Sequence, residues 1–371
     1  MARARAAYVF PNSRRDLIAQ HEAGEAPDTH LLGLNHLQPF GIDAEAREPA
    51  LDDRAPFLPA RVRWHLRELT LPWELRDVDV VFTPLANLIP LAARLRRGRP
   101  PVVVYDFGLN TILRRASSAR RRLLTTSLGS TACVACLGPS QRDELLELTG
   151  FDPEHVAVAI HGVDDVFFAP SEAPRERLVI AIGRDLARDY PTLFAATAGL
   201  DACVICVALR RNVEGLELPD NVEVRERIPY AELRDLYRRA SVAVVALRSA
   251  EFPFGSEGSG VSAMLEAQAS ATPLVASDRP IVRDYVRDGE NGLIVRAEDP
   301  AALGAAITRV LDDPALARSL ADAGRRRVDE RHTMAHMAAE LAPLLVGAAG
   351  AARGTARPRR SVPSEAPPTN G

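Results

Sequence analysis

The sequence contains no lysine: every one of its 46 Lys-or-Arg positions is arginine, set against 49 acidic residues. A chain without lysine forms no Schiff base with a carbonyl substrate and has no P-loop lysine, so both chemistries are excluded. The formal net charge is −3, which leaves no global basic surplus to draw the molecule to nucleic acid. Aromatic residues make up only 5% of the chain and do not interleave with the arginines as base-stacking platforms would. Long apolar runs are missing too. After Met1 and Ala-Arg-Ala-Arg comes AAYVF, too short for the core of a signal peptide. No run approaches the ~18 apolar residues of a membrane span, so the expected location is cytoplasmic.

Cysteine is scarce but arranged as two CxxC pairs, Cys133 with Cys136 and Cys203 with Cys206. Both pairs lie in apolar runs, TACVACLG and DACVICVAL, that have the character of buried strands. Residues i and i+3 of a strand face opposite sides, so neither pair can chelate one metal ion. The 66 residues between the pairs also lie outside zinc-ribbon spacing. His332 and His336 stand at helical i, i+4 spacing, yet Thr333 occupies the place of a zincin's glutamate. A solvated helix face is the expected setting for them, and no metal site is expected.

A length of 371 residues predicts two domains. Apolar strand-like runs alternate with helical patterns: AAYVF, DVDVVFTP, PVVVYD, ACVACLG and VAVAI, then RLVIAIG, ACVICVAL, NVEVR, SVAVVAL, PLVAS and GLIV. Continuous apolar strands separated by helices imply parallel sheets covered on both faces, an α/β fold. Two such series predict two Rossmann-like domains, 1–165 and 166–345, joined through HGVDDVFFAPSEAPRER. The first helix is expected to start at Asp28 and stop at Gly41, and a long helix is expected over about 315–345. The segment 346–371 has little with which to build a core and is expected to be disordered.

Two constellations carry chemistry. In Gly183-Arg184-Asp185-Leu186-Ala187-Arg188, an apolar strand ends in a glycine turn with two guanidiniums four residues apart. Ligands of parallel α/β sheets bind at that strand end, and the planar fork of arginine suits phosphate oxygens. The alternative is a pair of surface arginines bridged to Asp185 and Asp189. The second constellation is Gly258-Ser259-Gly260-Val261-Ser262-Ala263, followed one helical turn later by Glu266. Glycines admit a close ligand, and the following helix offers free N–H groups to a diphosphate. Glu266 can accept two ribose hydroxyls there, or merely stabilise the helix dipole.

Taken in series, GRDLARDYPTL, RIPYAELRDLYRRASVAVVAL, SGVSAMLEAQASATPLVAS and DGENGLIV resemble the family-4-like retaining glycosyltransferases of the GT-B fold. The resemblance spans roughly residues 135–345 and includes the run GPSQRDELLELTGFDPEHVAVAIHGVDD, in which His161 replaces the family's linker Asn. It implies a GT-B architecture, with a sugar transferred from a nucleoside diphosphate sugar to an acceptor hydroxyl. Retention of configuration is implied as well, with no cofactor beyond the co-substrate and no essential metal. Arg184 matches the family's phosphate-binding Arg, and Arg188 stands one residue short of its phosphate-binding Lys. Glu266 matches the second Glu of the family's Glu-x7-Glu motif, with the backbone of Ser262 and Ala263 facing the diphosphate. Asn291 and Gly292 fall in a strand-entry turn and are read as structural.

The pattern departs in two places. Gly258 stands where the first Glu of the motif belongs, and Glu257 next to it can substitute only if the loop shifts by one residue. In the N-terminal half the family's His after its PVVV strand is missing, and Asp106 of Tyr105-Asp106-Phe107 is the candidate contact to sugar or acceptor, or else a helix cap. The first loop lacks the family's paired glycines and offers Asn12 and Arg14 on the acceptor side. Arg184, Arg188, Asp106 and Glu257 are thus the expected catalytic group. Between Leu58 and Arg122 there are 13 Arg and 5 acidic residues, which make either a solvated Arg-rich surface or, with Trp64 and Leu66, one that could dock on an anionic membrane. Two other readings stay open: a catalytically silent GT-B partner subunit, and a sugar-nucleotide epimerase of the same fold.

Overall fold

The computed structural model describes residues 3–47, 66, 68–71, 74–84, 88–94 and 99–354. Two six-stranded sheets carry the fold, and every strand pairing in them is parallel. The first holds β1 (Ala4–Tyr8), β2 (Ile42–Ala46), β3 (Val80–Pro84), β4 (Val102–Asp106), β5 (Cys133–Cys136) and β6 (Val156–Val158), in the order β2-β1-β3-β4-β5-β6. The second holds β7 (Glu176–Ile182), β8 (Cys203–Val207), β9 (Val222–Arg225), β10 (Ala240–Val245), β11 (Leu274–Ser277) and β12 (Leu293–Val295), in the order β12-β11-β10-β7-β8-β9. All residues of β4 and β5 are buried, as unbroken apolar runs demand when helices cover both faces of a sheet. The architecture is α/β and GT-B, as the alternating runs and the family likeness imply.

The differences from expectation have local causes. The edge strand β2 escapes a search for apolar runs because IDAEA buries only its first residue fully. No helix spans 28–41. Three 3-10 turns, Thr29–Leu31, Leu34–His36 and Gln38–Phe40, stand there, interrupted by left-handed Leu32 (φ 55°) and Gly33 (φ 79°). The first α-helix is Arg15–Glu22.

The expected helix over 315–345 is two, Pro314–Arg331 and Met334–Gly354, broken at His332 and Thr333. At that break the chain crosses the interdomain linker: Val163 N–H donates to the His332 carbonyl (2.8 Å), and Met334 N–H donates to the Val163 carbonyl (3.2 Å). Gly162 permits the crossing, since a Cβ there would stand 2.7 Å from the Thr333 carbonyl oxygen. His332 is therefore fully buried rather than on a solvated face, and the Thr333 hydroxyl lies 2.8 Å from His336 Nδ1.

The last helix corrects two further expectations. Residues 346–354 of the supposed disordered segment are helical, and 355–371 lie outside the described residues. Its stretch Met334–Ala351 is long and apolar enough to cross a membrane by length and composition. Met337, Ala338, Leu341, Ala342 and Leu345 are nevertheless buried in the core, and the helix lies against β1, β3 and β4.

All four cysteines are free, with Cys133, Cys136 and Cys206 buried and Cys203 exposed. Within the Arg-rich segment, Leu66, Arg76, Arg94, Arg99, Arg114, Arg115 and Arg120–Arg122 are described, and all of them are exposed except Arg121, which is half-buried. Arg61, Arg63, Trp64, Arg67, Arg96 and Arg97 lie outside the described residues.

Candidate donor-binding site

The strand order of the second sheet reverses direction between β7 and β10, where consecutive connections leave to opposite sides. That switch point opens a crevice at the carboxyl ends of the strands. The loops following β7 and β10 are the two constellations singled out in the sequence. They line one cavity of about 750 Å³, to which the N-terminal domain contributes His30 and Phe107.

The β7 loop is held so that its arginines stay free of its own acids. Asp185 Oδ1 accepts from the N–H of Ala187 (2.8 Å) and of Ser256 (3.2 Å). Asp189 caps the helix Tyr190–Thr197 through Thr192 N–H and pairs with Arg248 at 3.3 Å. Neither acid takes up Arg184 or Arg188. Arg184 is exposed in the cavity, whereas Arg188 folds back across Gly183, where any Cβ would fall on its guanidinium. Arg188 Nε is buried with no hydrogen-bond partner among the described residues. A buried cationic donor left unpaired marks a place for an anion.

Opposite stands the start of the helix Val261–Ala269, entered through left-handed Gly260 (φ 95°). A side chain there would be strained by the backbone and would press on Val245, so glycine brings the helix start close to the cavity. Ser259, Gly260, Ser262 and Ala263 line the wall, as do Gly183 and Gly258. Glu266 lies beneath them, only 5% exposed, and accepts a 3.0 Å hydrogen bond from the Tyr237 hydroxyl. Burial pushes its carboxyl up to about 7, while the Tyr237 bond and the Arg188 charge pull the other way. A carboxyl with one oxygen engaged from behind can take hydroxyl donors from the front.

The remaining expected residues fall elsewhere. Glu257 does not face the cavity. It reaches into the other domain, where Oε1 accepts from Asn110 N–H (3.2 Å) and Gln141 Nε2 (3.0 Å), and Oε2 from the N–H (3.2 Å) and hydroxyl (2.8 Å) of Thr111. Asp106 is fully buried and is a cap: Oδ1 accepts from Gly108 N–H (2.8 Å) and Leu109 N–H (2.7 Å) at the start of the helix Leu109–Arg115. Burial, then the nearby Glu257 charge, raises its carboxyl well above the carboxylate range. The structure thus assigns Asp106 to capping and Glu257 to a clasp between domains, and brings only Arg184 and Arg188 of the four expected catalytic residues to the cavity wall. Asn12 is exposed on the loop after β1. Arg14 stacks its guanidinium 4.7 Å from the Phe10 ring centroid and bears electrostatically on His30 and Tyr230.

Sequence reading missed His30 and Tyr230, which face each other across the cavity with ring centroids 6.4 Å apart. Burial, aided by the Arg14 and Arg184 charges, lowers the His30 imidazole to about 4, so it is neutral at pH 7. It belongs to the turn-rich stretch 28–41, where the expectation of a regular helix hid it. Tyr237 was missed as well. It lies in the run RIPYAELRDLYRRASVAVVAL that carries the family likeness, but only the fold brings its hydroxyl to Glu266.

A two-domain α/β chain with a phosphate-suited cavity at the switch point of its second sheet is a GT-B protein. Residues 16–167 match the family model described as Glycosyltransferase Family 4, and residues 208–327 match that of Glycosyl transferases group 1. Each half of the chain thus resembles a glycosyltransferase family over the residues matched. D-inositol 3-phosphate glycosyltransferase of Thermomonospora curvata is 30% identical over 209 residues, covering 46% of this chain and 47% of the relative. Alpha-maltose-1-phosphate synthase of Mycolicibacterium smegmatis is 28% identical over 249 residues, 57% of this chain and 62% of that one. This chain spans about half the length of the curated relatives it matches. Among solved structures, sucrose-phosphate synthase from Thermosynechococcus elongatus superposes with a TM-score of 0.72 at 21% identity, over 94% of this chain and 100% of that one. Anabaena HepE in complex with UDP-glucose gives 0.67 at 14% identity, over 92% and 99%.

Proposed function

We propose that the chain transfers a glycosyl unit from a nucleoside diphosphate sugar to an acceptor hydroxyl, with retention of configuration and without an essential metal ion. The observation that carries this reading is the buried Arg188 donor beside Arg184, unpartnered among the described residues and set across one cavity from the open start of a helix, with Glu266 below. As the diphosphate departs, negative charge grows on its oxygens, and the two guanidiniums with the helix N–H groups meet it without reorganising. Glu266 takes the ribose hydroxyls. The Glu257 clasp holds the domains together over the site and keeps water from the donor.

The diversion of Glu257 into the other domain is what favours the rival reading of a silent partner subunit. Purified protein incubated with sugar nucleotides separates the cases. The proposed activity releases nucleoside diphosphate slowly alone and faster once a hydroxyl acceptor is added, and Arg184→Ala abolishes both. An epimerase instead converts the sugar nucleotide with no acceptor present. No turnover at all, with nucleotide still bound, identifies the silent subunit.

A further inference from the structure

His161 lies in the linker between the domains, wholly buried, and its two ring nitrogens reach opposite ways. Nε2 is 3.2 Å from Ser262 Oγ, and Nδ1 is 3.5 Å from the Tyr105 hydroxyl. Ser262 is the second residue of the helix Val261–Ala269 and lines the donor cavity, whereas Tyr105 is in β4 of the other sheet. The backbone of His161 is pinned as well: its N–H donates to the Tyr285 hydroxyl (2.9 Å), which donates to the Leu137 carbonyl (2.6 Å).

The direction of each bond follows from the one partner that has no choice. The Ala159 carbonyl can only accept, so it takes the single hydroxyl hydrogen of Tyr105 at 2.9 Å. The Tyr105 oxygen then offers His161 nothing but lone pairs, and Nδ1 must carry the ring hydrogen. A bare Nδ1 would set lone pair against lone pair in a buried place. Burial, with lesser contributions from His30 and His332, lowers the imidazole to about 3, so the ring holds one hydrogen at neutral pH. Nε2 is therefore a bare acceptor, and the Ser262 hydroxyl donates to it. Ser262 Oγ turns only lone pairs into the cavity.

We infer that His161 is a positioning residue that fixes Ser262 as a hydrogen-bond acceptor for a hydroxyl of the transferred sugar. A phosphate oxygen also offers only lone pairs, so Ser262 Oγ repels the diphosphate. The diphosphate is left to the backbone N–H groups of Ser262 and Ala263 and to the two arginines. The inference rests on the proposed donor reading and deepens it by assigning the sugar end of the site a contact that neither Gly258 nor Glu257 supplies.

Two measurements on the full chain test it. Imidazole ¹⁵N NMR at pH 7, with His161 assigned by its loss in His161→Asn, is expected to show the neutral Nδ1–H form; an Nε2–H ring overturns the inference. Calorimetry then compares a nucleoside diphosphate with its sugar nucleotide, beginning with UDP and UDP-glucose and continuing through the GDP and ADP pairs until one binds. Ser262→Ala is expected to leave the diphosphate within about twofold while weakening the sugar nucleotide roughly three- to tenfold, the worth of one hydrogen bond. Ser262→Thr restores the difference, and adding His161→Asn to Ser262→Ala brings no further selective loss. Equal weakening of both ligands overturns the inference. If no pair binds the unmodified chain, the donor reading and the sugar contact fail together, while the ring spectrum still decides the polarity.

Discussion

The carboxylate of Glu257 lies 2.8 Å from the Thr111 hydroxyl, so a side chain of the donor-side loop terminates at a helix of the opposite domain. The same loop makes two further crossings: Ser256 Oγ donates to the Phe107 carbonyl, and the Phe254 ring lies 4.5 Å from the Arg115 guanidinium carbon. The segment 254–257 is thus a strap over the cleft.

Removing the strap's charged end is expected to loosen the closed arrangement. Glu257 accepts four hydrogen bonds. Bonds to an ionised group contribute about 1.5–3 kcal/mol each when buried, so Glu257→Ala costs the closed form a few kcal/mol after solvent recovers its share. Small-angle scattering should record a larger radius of gyration for Glu257→Ala, with Glu257→Gln between it and the unmodified chain. An unchanged radius in Glu257→Ala contradicts the clasp.

Nucleotide affinity should depend on pH through Glu266. Its carboxyl is raised from 4.5 to about 7 in the fold, so it is ionised above that pH and protonated below it. Ribose hydroxyls bind best to the ionised form, and affinity is expected to rise between pH 6 and about 8 and then level off. Stability runs the other way. Between 4.5 and about 7 the folded chain binds the extra proton, so this group's contribution falls as pH rises through that window and is constant above it. Tyr237→Phe removes a bond that lowers the Glu266 value and should move the affinity profile upward in pH. Calorimetric titration across pH checks both, and Glu266→Gln should flatten the affinity profile.

Gly183 is where a single methyl group reports on Arg188. A Cβ at that position falls on the Arg188 guanidinium and must displace it. Gly183→Ala is expected to lower nucleoside diphosphate affinity roughly tenfold or more, the worth of one charge-assisted contact, while the fold persists. Calorimetry alongside circular dichroism separates lost binding from lost structure.

Much of the fold was legible because it is written in local patterns. Continuous apolar runs such as VIAI of β7 and VVVY of β4 can be satisfied only inside a sheet covered on both faces. The expectations for Gly183, Arg188 and Glu266 used the same kind of information, a glycine turn and a helix start fixed by neighbours in sequence. What escaped depends on distant partners. The roles of Glu257 and Asp106 turn on which domain meets the helix start at Leu109, over 140 residues from Glu257, and no local spacing records that. His30 was hidden by Leu32 and Gly33, whose left-handed backbone breaks a stretch with helical spacing. The break at His332 has a similar origin, since it exists to let the chain cross the linker at Val163.

The central claim is that this cavity binds a nucleoside diphosphate through Arg184 and Arg188, and thermal unfolding of the full chain with UDP-, GDP-, ADP- and TDP-sugars tests it most directly. At a ligand concentration a hundredfold above Kd, binding to the folded form stabilises it by about 2.7 kcal/mol, enough to raise Tm by several degrees. One nucleotide class is expected to give that shift in the unmodified chain, and Arg184→Ala with Arg188→Ala to abolish it without lowering the ligand-free Tm by more than a degree or two. A chain stabilised by none of the four, or a double variant stabilised as much as the unmodified chain, would contradict the account.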